Sequence, residues 1–385
     1  MLISKDAMRK RYESAKKIMK DNNLEAIFVI GDRMPGDEMT GDFQYFVGNY
    51  IWYRRHCVLM FPDHEPVLLS GAWISTQKAK QCCWIEDCRA VSSDLNFFEN
   101  IANVLAEKGV KSGRVGVNLL YMSVVAEKVI HEKIPGIEFA EIHPEIMKLR
   151  YNPGIEERAL IKKSAELADG AYEYIRQFIK PGVTQNKIRA ELENYMIGEG
   201  AEECFTGVTS GRYSTTADKN KLGFSYPPLA DMKKVEPGDA VWLEITPRYD
   251  GYWSQLVRYV QVSEPNPELE EVHALIRKTL DLAVKGVQPG KTIGSMVREL
   301  REKFPSISSD YTIGWNVGHI CGLDLTDGNL LDESEVIMAP GMALIIHPSL
   351  IKLDGTCELF TGETYMVTET GCERLMKSDD KIYVV

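Results

Sequence analysis

The first 150 residues alternate between helical and extended hydrophobic patterns. Apolar side chains recur at helical spacing in two segments, which predicts helices at 8–22 and 97–108. Continuous apolar runs bounded by turn residues predict strands at 24–30, 58–61, 66–69 and 114–117. This alternation predicts a small α/β domain. The turn residues Asn152-Pro153-Gly154 mark its end, so we place this domain at residues 1–150.

The remaining residues, 151–385, repeat a pattern of paired helices and strands. Amphipathic spacing predicts helices at 156–180, 184–198, 269–286 and 292–304. Strands are predicted at 240–246, 253–262, 342–347, 363–369 and 381–385. The segments IKPGVT at 179–184 and VQPGKT at 287–292 each end one helix in front of another. This recurrence indicates an internal duplication, and the fold class is α+β.

Composition and charge exclude several classes of function. The chain has 385 residues, of which 44% are hydrophobic and 26% charged, a balance typical of globular proteins. A formal net charge of −11 argues against binding to nucleic acid or to anionic membranes. We find neither a transmembrane run nor a signal peptide. Eight scattered cysteines indicate reduced thiols, and we therefore expect a cytoplasmic protein.

Four ordered sequence blocks carry a resemblance that covers nearly the whole chain. They are Pro237-Gly238-Asp239 followed by a strand and Tyr249-Asp250-Gly251-Tyr252; Val317-Gly318-His319 followed by Gly322-Leu323-Asp324; Ala339-Pro340-Gly341-Met342; and Val367-Thr368-Glu369-Thr370-Gly371. With them, the chain resembles the pita-bread family of creatinase, aminopeptidase P, prolidase and methionine aminopeptidase. The resemblance implies a pita-bread domain over 151–385, preceded by a creatinase N-terminal-like α/β domain.

The metallopeptidases of that family hold two metal ions with two Asp, one His and two Glu. At the matching positions this chain has Glu244, Gln255, His319, His347 and Gly362, although a slipped register would offer Glu363 at the last one. Two adjacent cations need more carboxylates than this set provides. We therefore expect no dinuclear metal site and no cofactor. A single metal ion bound by Glu244, His319 and His347 remains an alternative.

The residues at these positions predict acid–base chemistry. Side chains alternate along strands, so Glu244 and Gln255 are expected to meet on one face of a hairpin. Poor solvation beside amide and aromatic groups should raise the pKa of Glu244 and suit it to act as general base or nucleophile. His319 is expected to donate a proton to the departing nitrogen. Gln255 and His347 would orient the substrate.

Aromatic and arginine side chains are candidates for substrate binding. The aromatic candidates, which would line the pocket or form part of the core, are Tyr226, Trp242, Tyr252, Trp253 and Trp315. The segment Tyr53-Arg54-Arg55-His56 resembles a creatinase stretch whose Arg reaches a substrate carboxylate in the neighbouring subunit. The resemblance thus implies a homodimer in which Arg55, with Arg54 beside it, serves the partner's site.

The sequence supports three functions. The first is metal-independent hydrolysis of a C–N bond in a small molecule, similar to creatinase or ectoine hydrolase, which we favour. The second is an Xaa-Pro dipeptidase or aminopeptidase-like metallohydrolase, or a metal-dependent lyase, with a reduced metal site. The third is a pita-bread binding protein without catalysis.

Overall fold

The computed structural model describes residues 3–31, 40–48, 54–91, 96–214, 230–355 and 358–385. The chain forms two compact units, Met1–Tyr151 and Asn152–Val385. The predicted boundary at 150/151 differs from this division by one residue. Among the described residues, no helix combines the length and apolar character that crossing a bilayer requires.

The first unit is a mixed sheet with helices. Its helices are α1 (Lys5–Asp21), α2 (Gly41–Val47), α3 (Trp73–Cys82), α4 (Phe97–Glu107), α5 (Val124–Lys133) and α6 (His143–Arg150). Its strands are β1 (Ala26–Gly31), β2 (His56–Met60), β3 (Val67–Ser70), β4 (Asp87–Ala90), β5 (Ser112–Val117) and β6 (Gly136–Glu141). The strand order is β4-β3-β2-β1-β5-β6, with antiparallel pairing of β2 to both β1 and β3 and parallel pairing elsewhere.

The second unit carries two helix pairs and a large sheet. The helices are α7 (Ile155–Phe178), α8 (Gln185–Gly198), α9 (Pro267–Gly286) and α10 (Ile293–Lys303). The strands are β7 (Glu203–Gly211), β8 (Ala240–Tyr249), β9 (Tyr252–Trp253), β10 (Leu256–Gln261), β11 (Tyr311–Ile313), β12 (Gly318–Cys321), β13 (Gly328–Asn329), β14 (Ala343–Ile346), β15 (Leu350–Lys352), β16 (Glu358–Leu359), β17 (Gly362–Val367), β18 (Cys372–Arg374) and β19 (Tyr383–Val384). The large sheet follows the order β13-β12-β14-β17-β10-β8-β7.

The two Pro-Gly segments have the same local structure. Gly182 and Gly290 have φ angles of +90° and +87°, in the left-handed region that glycine adopts without strain. Each glycine donates its N–H at 2.8 Å to a carbonyl of a later segment, to Val235 and Met338 respectively. The next helix then starts at a threonine whose hydroxyl caps it, Thr184 for α8 and Thr292 for α10. These matching contacts support the internal duplication.

Alternate residues of the large sheet face opposite sides. Val241, Leu243 and Ile245 of β8 pack into a core with α7 and α8, as do Leu256 and Val260 of β10. The residues between them, including Glu244, therefore face the other side of the sheet. We call this side the site face. The α+β fold with two domains agrees with the prediction from sequence.

Candidate active site

Strand register brings the predicted catalytic residues onto the site face in two neighbouring rows. Across the first row, Glu244 pairs with Val257, and Val257 pairs with Gly362. Across the second row, His319 pairs with Ile345, and Ile345 pairs with Thr364. Residues that pair directly across strands point to the same face. The rows therefore fix which side chains can meet.

Glu244, Gln255 and His319 form a continuous hydrogen-bonded chain, which we call the relay. The Gln255 Nε2 amide donates to Glu244 Oε1, and Gln255 Oε1 lies 3.1 Å from His319 Nε2. All three side chains are buried. In a flat sheet, β10 and β12 would be about 14 Å apart, because β17 and β14 separate them. The sheet must therefore curl around the site face for these side chains to meet.

Burial keeps the two site histidines uncharged. Desolvation, followed by the neighbouring His347, lowers the pKa of His319 from 6.5 to about 3. Desolvation likewise lowers the pKa of His347 to about 4. Their ring centroids are 5.2 Å apart in an edge-to-face arrangement. In the free protein at neutral pH, His319 is therefore not the imidazolium that its expected role as proton donor requires.

An aromatic cluster flanks the relay. Trp242 and His347 each have ring centroids 5.2 Å from that of Phe360. Trp242 Nε1 and the Tyr259 hydroxyl both donate to the Phe360 carbonyl, at 3.4 and 2.9 Å. Tyr259 pairs with Trp242 across β8 and β10, so both point to the site face. Phe360 and Tyr259 were not among the site residues predicted from the sequence. The alternation of side chains along β10 could have identified Tyr259.

Two of the aromatic candidates lie elsewhere. The Tyr252 hydroxyl donates to Glu157 Oε1 of α7 at 2.8 Å, so this ring points to the helix side of the sheet. Trp315 is 70% exposed, because Arg301 binds the carbonyls of residues 313–315 and holds this segment at the surface. Both positions disagree with the expectation that these residues line the pocket.

The other candidates for substrate binding divide into three cases. Trp253 is buried, pairs with Arg248, and lies beyond Gln255 on the side away from Glu244. Tyr226 falls outside the described residues. Arg54 and Arg55 lie in the first unit, where the Arg55 guanidinium is 5.0 Å from the Phe98 ring centroid. Their predicted role in a partner's site stays a prediction.

The strand register also determines whether Gly362 or Glu363 lies on the site face. Glu363 pairs with Leu256, whose side chain packs on the helix side, so Glu363 points away from the relay. There it binds Arg258, lies 2.7 Å from Arg374 and 3.4 Å from Arg277, and accepts from Tyr365 at 2.8 Å. Burial alone would raise the pKa of Glu363, but these arginines hold it well below its usual range.

Gly362 is the residue on the site face, and no side chain fits there. A Cβ at this position would lie 2.2 Å from the Ile346 carbonyl oxygen and 2.4 Å from His347 Cβ. Such distances are far inside van der Waals contact. The close approach of β14 to β17 thus excludes a carboxylate at residue 362.

The side chains on the site face do not match a metal cage. Glu244 is the carboxylate that remains in the two rows, and Gln255 directs an amide N–H donor, which cannot bind a cation, towards it. His319 Nε2 is engaged by Gln255 Oε1. Within the described ranges, no group of three or more His, Cys, Asp or Glu side chains could hold a metal ion. The donor set therefore lacks the carboxylates that a dinuclear site requires, and a single ion bound by Glu244, His319 and His347 stays an alternative.

Comparisons with known proteins identify a domain family for each unit. Residues 11–151 match the creatinase/prolidase N-terminal domain, and residues 159–369 match metallopeptidase family M24. The chain is 25% identical over 383 residues to the Xaa-Pro dipeptidase of Pyrococcus furiosus, covering 97% of this chain and 100% of that protein. It is 24% identical over 310 residues to the creatinase of Bacillus sp., covering 73% of this chain and 71% of that protein.

Solved structures agree on the fold. The Xaa-Pro dipeptidase from Bacillus anthracis superimposes with a TM-score of 0.81 at 22% identity, over 98% of this chain and 100% of that one. This likeness covers both units and the pita-bread arrangement of the second. The chain therefore belongs to metallopeptidase family M24, as an enzyme of the class that hydrolyses carbon–nitrogen bonds.

Proposed function

We propose that this protein hydrolyses a C–N bond in a small molecule without a dinuclear metal centre, using Glu244 as its base or nucleophile. The observation that carries the proposal is the relay itself. Gln255 stands where the family resemblance predicts a carboxylate ligand, and its two amide atoms bind Glu244 and His319 directly. The side chains that would hold metal ions in a metallopeptidase instead bind one another.

Glu244 carries the proton transfers in this mechanism. It removes a proton from water, and the resulting hydroxide adds to the carbon of the scissile C–N bond. The C–N bond then breaks with its electron pair on nitrogen, and Glu244 returns the proton to that nitrogen. One water is consumed and the carboxylate is regenerated. If Glu244 attacks the carbon directly, the departing nitrogen takes its proton from water, and the hydroxide left behind hydrolyses the covalent intermediate and releases the carboxylate in a second step.

The histidines have a supporting role rather than an acidic one. His319 is uncharged at neutral pH because of its lowered pKa, so it holds Gln255 by a hydrogen bond instead of protonating the leaving nitrogen. His347 packs between His319 and Phe360 and shapes the neighbouring wall. The proton for the leaving group therefore comes from Glu244, which replaces the role expected for His319.

The test is Glu244→Gln, assayed on amides, ureas, amidines and quaternary amines. Loss of a general base typically costs about 10²–10⁴-fold in kcat, and the fold should persist because Gln is isosteric. Glu373→Gln is the matched control, since Glu373 is a half-exposed partner of Lys162 at 2.6 Å. Full activity in Glu244→Gln, or turnover that disappears with a chelator and returns with metal, would contradict the proposal.

A second candidate is an Xaa-Pro dipeptidase. Similarity alone favours it over the metal-independent function, because the match to the Pyrococcus furiosus Xaa-Pro dipeptidase spans that entire protein. Hydrolysis of Xaa-Pro dipeptides that requires stoichiometric metal, measured by elemental analysis of the purified protein, would establish this candidate. Tight ligand binding without conversion of any substrate would instead favour a binding protein.

We also propose that the protein is a cytoplasmic homodimer in which Arg55 and Arg54 approach the partner's site. Light scattering on the purified protein tests the dimer. A heterodimer assembled from Glu244→Gln and Arg55→Ala chains tests the shared site, since it should regain half of the wild-type sites if Arg55 acts across the interface. Full activity in Arg55→Ala alone would contradict this role.

A further inference from the structure

One side chain binds both backbone polar groups of Gln255. Gln255 lies just before β10, where the pairing with β17 begins at Leu256 and Glu363. Its N–H donates to Thr364 Oγ1 at 2.9 Å, and the same hydroxyl donates to the Gln255 carbonyl at 3.1 Å. Thr364 lies in β17 and is fully buried. One hydroxyl thus replaces the ladder hydrogen bonds that a neighbouring strand would supply.

The orientation of Gln255 determines the proton position on His319. The amide Nε2 must face Glu244, because the opposite orientation would set two oxygens against each other. Oε1 then faces His319 Nε2 and can only accept a hydrogen bond, which favours the tautomer of His319 with its proton on Nε2. A change in the Gln255 backbone would disturb the bonds to Glu244 and His319 together.

We propose that Thr364 is a positioning residue of this site: through the backbone of Gln255 it fixes the direction of the Glu244 carboxylate and the Nε2–H tautomer of His319. Thr364 acts through Gln255 and touches no reacting atom. Its effect on turnover rests on the proposed function, whereas its effect on the His319 tautomer does not. The two effects can therefore be tested separately.

Thr364→Val removes the hydroxyl at nearly constant volume, and Thr364→Ser retains it. Thr361→Val is a matched control, because Thr361 is also fully buried and its hydroxyl donates at 2.6 Å to the carbonyl of Val257, on the strand that follows Gln255. The tautomer is measured by ¹⁵N NMR of ring-labelled histidine, with His319→Asn assigning the signals. Turnover of the substrate found in the amide and urea screen is measured in parallel.

The expected result is an Nε2–H tautomer for His319 in the wild type, in Thr364→Ser and in Thr361→Val, but mixed tautomers in Thr364→Val. The kcat of Thr364→Val should fall at least about tenfold with KM nearly unchanged, because the Glu244 carboxylate would be misoriented. An Nδ1–H tautomer in the wild type would overturn the proposal, and that measurement needs no variant to fold. An unchanged tautomer in Thr364→Val, or the same change in Thr361→Val, would also overturn it. A shifted tautomer in a protein without hydrolase activity would uphold the role of Thr364 and reject the proposed function.

Discussion

Acid should destabilise this protein through a buried histidine that takes no part in the relay. His273 lies on α9 and is buried. Its pKa is lowered from 6.5 to about 4, mainly by desolvation; Arg277 and Arg258 contribute in the same direction, and Asp380 acts in the opposite direction. The folded protein therefore holds His273 neutral at pH values where the unfolded chain is already protonated.

The direction of the pH dependence follows from this difference. Between about pH 6.5 and 4 the unfolded chain binds the extra proton, so the contribution of His273 is complete above pH 6.5 and declines as pH falls. At about pH 5 the loss relative to neutral pH is about 2 kcal/mol, and below pH 4 it reaches about 3 kcal/mol. His319 and His347 act in the same direction. For a protein whose whole stability is about 5–15 kcal/mol, this is a large fraction.

The assay is urea unfolding followed by circular dichroism at about pH 7.5 and 5. His273→Gln cannot ionise, so its free energy of unfolding should change by about 2 kcal/mol less than the wild type between the two pH values. His64→Gln, at an exposed histidine, should keep the wild-type pH dependence. An identical pH dependence in His273→Gln and the wild type would refute the reasoning, as would an NMR titration of His273 in the folded state with a midpoint near 6.5.

Two further variants test the surroundings of the relay. Glu363→Gln should lower the free energy of unfolding by about 3–5 kcal/mol, because it leaves the buried Arg258 without its carboxylate partner. Gly362→Ala should lower it by about 1–3 kcal/mol or more, because the new methyl group would overlap the Ile346 carbonyl. Urea unfolding at neutral pH measures both changes.

Each of these variants has a control on the same unit. Glu373→Gln removes a half-exposed ion pair with Lys162 and should change stability by less than about 1 kcal/mol. Gly198→Ala lies at the end of α8, where a Cβ meets no atom within 4 Å, and should be neutral or stabilising by about 0.4–1 kcal/mol. Equal losses in a variant and its control would mean that burial and close approach do not determine the effect.

The alternation of side chains along a strand accounts for the contact that the sequence predicted correctly at the site. The period of two along β8 and its hairpin partner was enough to bring Glu244 and Gln255 together, since the relevant contact is local. The same rule places Tyr252 on the opposite face from Trp253, so its position was available from sequence. Grouping the aromatic residues by their nearness along the chain overlooked that rule.

Other features depend on contacts between distant segments. The choice between Gly362 and Glu363 needed the pairing of β17 with β10, which a one-residue slip would have reversed. The exposure of Trp315 depends on Arg301, a residue of α10. The uncharged state of His319 depends on its burial in the folded protein and on the neighbouring His347. Local patterns in the sequence do not contain this information.

The contact between β14 and β17 at Gly362 limits how this scaffold can be redesigned. Exchanging side chains at positions 255, 347 and 362 would not by itself recreate a carboxylate cage, because the main chain of Ile346 already fills the volume that a new side chain would need. Converting the protein into a two-metal peptidase would require these strands to move apart first. A directed-evolution route would therefore have to start with changes in backbone spacing and only afterwards install ligands.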